Sequence, residues 1–136
     1  MTPGMFAEAV ARIPVPVRAD LAVHTLWDMQ LDAPRDSDDL DSPDFVYASG
    51  WRAALDDIWA TLQGAVPLYE FPPQPKGSFA RTLARLPKVL RTTLAQTLAK
   101  DPTIRPSKWG SGVVEEELTF THGYYDAVRR VVRALA

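Results

Sequence analysis

The stretch VVEEELTFTHGYYDAVRRVVRALA, residues 113–136, decides how the chain is read. Val114, Leu118, Thr121, Tyr125, Val128, Val132 and Leu135 recur at intervals of four and three, the spacing of one face of an α-helix. Val113, Phe120, Tyr124, Ala127, Val131 and Ala134 widen that apolar face. Glu115, Glu116, Thr119, His122, Asp126, Arg129, Arg130 and Arg133 gather opposite it. Three glutamates open the segment and three arginines close it, which suits the helix dipole. Gly123 falls on the polar side of this wheel, where it predicts no more than a mild bend. So wide an apolar face predicts a helix that one small bundle leaves partly uncovered, to be closed by a second copy or a protein partner.

The same periodicity extends toward the N-terminus. In PDFVYASGWRAALDDIWATLQ (43–63), Phe45, Ala48, Trp51, Leu55, Ile58, Trp59 and Leu62 keep helical spacing. Ser42 stands where an N-cap belongs, Pro43 at the first helical position and Gly64 at a natural stop. Leu83, Leu86, Leu90, Leu94 and Leu98 draw one leucine stripe through residues 78–100, and Pro87 either kinks one helix or begins a second. Residues 16–32 predict a further helix, with Ala19, Ala22, Leu26, Met29 and Ala33 inward and Asp20, His24, Asp28 and Asp32 outward; residues 3–13 predict a short one. No segment alternates in the manner of a strand. The expected fold is all-α: a single domain over residues 1–136, a bundle of four to six helices with a long C-terminal helix. Two connections stand out, the acidic RDSDDLDSPD (35–44) and the extended, proline-rich FPPQPKG (71–77).

Composition narrows the function classes. With 136 residues the chain can bury a core without staples, and with no cysteine it excludes disulfides, zinc–thiolate centres and thiol catalysis. Its N-terminus lacks the basic-then-apolar order of a signal peptide, and its longest uncharged run, Ile58–Tyr69, is far short of the ~20 residues that cross a bilayer. A soluble, cytoplasmic protein with no membrane partner is expected. Net charge is only −2, but residues 1–75 hold four Arg against twelve Asp and Glu, while residues 76–108 hold eight Lys and Arg against one Asp. An acidic and a basic part of one domain either pair with each other or face different partners.

Three chemistries compete for the polar residues. The two histidines fall in HTLWD (24–28) and HGYYD (122–126), each with an aspartate four residues on. His24, Asp28, His122 and Asp126 would make a four-ligand divalent-metal site if the two faces met, and a metal-dependent bundle enzyme with them. Both pairs fall on polar faces, so the simpler expectation is solvated helix surface, no cofactor, and a salt bridge from Asp126 to Arg129 or Arg130. Arg81, Arg85, Lys88 and Arg91 are spaced as one helical face, which Lys108 and Trp109 extend; that suits an acidic protein surface or, alternatively, nucleic-acid phosphates. No phosphate loop, nucleophile elbow or zinc-protease motif is present to mark an enzyme. The expected function is therefore that of a small α-helical interaction protein.

Overall fold

A computed structural model of the protein describes residues 4–31, 33–34, 42–63, 72–106 and 114–136. Among them stand six helices: α1 (Met5–Val10), α2 (Val15–Leu31), α3 (Pro43–Gln63), α4 (Phe79–Ala84), α5 (Lys88–Lys100) and α6 (Val114–Leu135). The expected all-α bundle with a long C-terminal helix is what the chain forms. Local chemistry sets the helix ends. The Ser42 hydroxyl accepts the Phe45 N–H at 3.2 Å at the start of α3, and Ser78 accepts the Arg81 N–H at 3.2 Å at the start of α4. Pro87 begins a second helix rather than kinking one, because its ring fits the residue before the first turn of α5. Arg91 reaches the far end of α6, donating to the Leu135 carbonyl at 3.3 Å and the Ala136 carbonyl at 3.2 Å, where a cation suits the helix dipole.

The core is continuous through all six helices. Phe6, Leu21, Leu26, Ile58, Leu94, Leu98 and Tyr124 are among its largest fully buried side chains. Trp51 and Trp59 are both buried within it. The leucine stripe faces inward as expected, with Leu83, Leu86, Leu94 and Leu98 buried and Leu90 packed against the core. On α2 the inward face differs from expectation. Leu21, His24 and Thr25 are buried, while Ala33 is exposed. The reason is position: α2 packs against α3, α4 and α6, so it is covered on more than one side.

Two features were not expected. The first is the crossing of α3 and α6. A Cβ on Gly50 would land on the Phe120 carbonyl oxygen, and a Cβ on Gly123 would land on the Tyr47 carbonyl oxygen. The two helices therefore touch backbone to backbone, close enough for Cα–H···O contacts. This corrects the reading of Gly123: it is buried at a crossing, not on the polar side at a bend. It also turns α6. The buried row runs Phe120, Gly123, Tyr124, Ala127, Val131 and Leu135, while Leu118 and Tyr125 of the more regular row face outward.

The second feature is a cap supplied from a distance. Gly4, at the N-cap of α1, has no side chain to offer. Asp101, just beyond α5 and buried, takes its place: one carboxylate oxygen accepts the Phe6 N–H at 2.8 Å. The other accepts the backbone N–H of Thr103 at 2.9 Å and its hydroxyl at 2.7 Å.

Candidate functional site

Around the glycine crossing, α3 and α6 exchange tyrosine–aspartate hydrogen bonds in both directions. Tyr47 of α3 donates to Asp126 of α6 at 2.5 Å, and Tyr124 of α6 donates to Asp57 of α3 at 2.6 Å. Burial and then the hydrogen bond to Asp126 push the Tyr47 hydroxyl up to about 12. Burial and the Asp57 carboxylate push Tyr124 up still more strongly. The Tyr47 hydroxyl, followed by Arg129, holds the Asp126 carboxyl below the usual carboxylate range. At neutral pH both tyrosines are thus protonated donors, and the pairs serve as latches between helices. Arg129 closes onto Asp126 at 2.6 Å, three residues back on the same helix, as the spacing predicted. Arg130 instead crosses to Asp28 of α2 at 2.9 Å in a partly buried ion pair.

Beyond the latches lies a cavity of about 710 Å³. Tyr47 and Trp51 of α3, Ala99 of α5, and Tyr125, Val128, Val132 and the arginines of α6 line it. Tyr125, at 36% of full exposure, and Val132, partly covered seven residues further on, belong to its α6 wall, and Leu118, at 55%, continues their row seven residues before Tyr125. His122, Arg129 and Arg133 stand exposed beside this row. The α6 row is thus an apolar line flanked by one histidine and two arginines.

The proposed metal ligands occupy four different settings. His24 is buried, 6% exposed, and stacks on Phe79 of α4 with ring centroids 6.3 Å apart. It does not face solvent as its polar stripe suggested, because α4 lies over that side of α2. His122 is exposed on the outer side of α6. Asp28 and Asp126 hold arginines. Among the described residues no three His, Asp or Glu side chains gather as metal ligands, so these four are not brought into one site.

The basic stretch is divided between two helices by the break at Leu86–Pro87, so its cations do not form one continuous helical face. Arg85 pairs with Asp20 at 2.7 Å, joining the basic and acidic parts of the chain, and Arg91 caps α6. Arg81 and Lys88 are exposed. Lys108 and Trp109 lie outside the described residues, as does most of the acidic 35–44 connection. In the proline-rich stretch, Pro72 accepts the Trp27 indole N–H at 3.1 Å, which ties an extended segment to α2. No helix among the described residues is long and apolar enough to cross a membrane.

Compared with protein-family models, curated proteins and solved structures, the chain matches none. Function is therefore argued from geometry. The site itself was half visible in the sequence: the width of the apolar face on 113–136 pointed to an uncovered surface. Which row is uncovered depended on Gly123, and a small residue three positions after Phe120 and four before Ala127 was the signal available.

Proposed function

We propose that this all-helical domain is a protein-interaction module whose contact surface is the outer face of α6. The observation that carries this reading is the row Leu118, Tyr125 and Val132, apolar and uncovered to different degrees, of which Tyr125 and Val132 also line the 710 Å³ cavity. Exposed aromatic and leucine side chains on a rigid helix lose little conformational freedom when a partner covers them. Arg129 and Arg133 supply a polar rim. Arg81 and Lys88, on a separate face, are a second contact in this proposal, suited to an acidic surface.

A photoreactive benzoylphenylalanine placed at position 125, in cells that make the protein, tests the reading. Irradiation should give a discrete covalent protein adduct from position 125 and none from position 8, an exposed site on α1. No adduct from position 125, or equal adducts from both, would remove it. Reversing Arg81 and Lys88 to glutamate together should lower the adduct yield while leaving the melting temperature within ~2 °C, as expected for surface substitutions. An unchanged yield would remove the basic contact and leave the α6 surface in place.

A further inference from the structure

We infer that the occupant of the α6 surface is a second copy of this chain, with the two α6 helices running antiparallel about a twofold axis near Tyr125. The inference rests on the interaction-module reading and names its partner. Leu118, Tyr125 and Val132 are spaced seven apart, so they form one line about 21 Å long on the helix. Such a line is its own complement in a twofold pairing, where Tyr125 meets Tyr125 and Leu118 meets Val132 of the other copy.

Charge fixes the direction. Glu117 stands near the start of α6, and Arg129, Arg130 and Arg133 lie toward its end. Arg130 is held by Asp28, but Arg133 is exposed, and Arg129 is exposed beyond its pair with Asp126. A parallel pairing sets Glu117 against Glu117 and Arg133 against Arg133. An antiparallel one about Tyr125 sets Glu117 of each helix opposite Arg133 of the other. The helix macrodipoles of the two copies are also opposed in that arrangement. A single row covers less than the ~800 Å² per partner of a tight complex, so the dimer is reversible, in the micromolar range, and weaker at high salt.

The absence of cysteine makes the register directly measurable. Tyr125→Cys, Leu118→Cys and Val132→Cys each sit on the α6 surface row. With a short bismaleimide crosslinker, Tyr125→Cys should couple to itself. Leu118→Cys should couple to Val132→Cys in a mixture of the two proteins, and poorly to itself. Sedimentation velocity on the untouched protein should show a concentration-dependent dimer, which Tyr125→Glu abolishes while circular dichroism stays helical. A monomer at ~100 µM, a concentration at which a dimer of micromolar affinity is largely formed, would overturn the inference. So would efficient Leu118→Cys self-coupling, which is the parallel outcome. The photocrosslink at position 125 separates the two levels: an adduct of twice the chain mass supports the second copy. An adduct with a different protein overturns self-pairing while sparing the interaction module, and no adduct removes both.

Discussion

Gly123→Ala is expected to destabilise the protein by ~3 kcal/mol or more, lowering the melting temperature by roughly 10 °C for a domain of this size. Intrinsic propensity argues the opposite sign, since alanine in a helix interior is favoured over glycine by ~1 kcal/mol. The two arguments can be weighed. The added methyl group of residue 123 meets the Tyr47 carbonyl oxygen, and the neighbouring Trp51 amide lies 3.2 Å away. These are backbone atoms of a helix, which have no alternative rotamer to adopt. Relief requires α3 and α6 to separate, and separation stretches the Tyr47–Asp126 and Tyr124–Asp57 latches at the same time. Gly50→Ala should act alike through the Phe120 carbonyl. Because both glycines share one seam, the double substitution should cost less than the sum of the single ones. Thermal melts of the three variants check this; an unchanged or raised melting temperature for Gly123→Ala would show that the helices do not touch as described.

Asp101→Ala is expected to cost ~2–3 kcal/mol, the second-largest single effect. It removes the cap of α1 and leaves the Phe6 N–H buried without its acceptor. The acid dependence has a definite sign. Burial alone would raise the Asp101 carboxyl, but the Phe6 and Thr103 hydrogen bonds outweigh it and hold the group below its ordinary value of 3.8. A carboxyl depressed in the folded state contributes its full stabilisation above the unfolded value and loses it as pH falls through the folded one. The stability gap between the native protein and Asp101→Asn should therefore be constant from pH 5 to 8 and close below about pH 4. A gap that widens on acidification would contradict the placement of this carboxylate. Denaturant melts at a series of pH values give the answer.

The helices that the sequence made legible are those whose signals are local. Pro43–Gln63 matched its expected bounds because Ser42 caps it and its apolar spacing is unbroken. The break at Pro87 was legible as a choice of two, and burial of the leucines on both sides did not depend on which was right. The errors share a cause. On α6 two adjacent rows are apolar, so periodicity could not decide between them; the decision came from the close approach that Gly50 and Gly123 allow, which involves a helix some seventy residues away. His24 looked solvent-facing because its own helix places it beside Asp20 and Asp28, and it is buried because Phe79 lies on it. Asp101 left only a faint trace, a threonine two residues on that closes a local turn, while its main partner is Phe6. The uncovered α6 row, the proposed contact surface, was legible as an excess of apolar area. Its exact row, its flanking arginines and the tyrosine latches beneath it depend on tertiary placement.

The α3–α6 crossing also has a consequence in time. α3 is complete at Gln63, yet the helix that covers Gly50 and latches Tyr47 emerges only with residues 114–135. At synthesis rates of about 5–20 residues per second, the face bearing Trp51 waits on the order of 4–14 s for its partner. α1 waits longer still for Asp101, which is made 95 residues after Phe6. The chain cannot settle its core helix by helix as it leaves the ribosome; its two defining contacts close last, and nearly together. A translational pause placed after Gln63 would lengthen that exposure, and would be felt as aggregation of the nascent chain rather than as any loss in the finished protein.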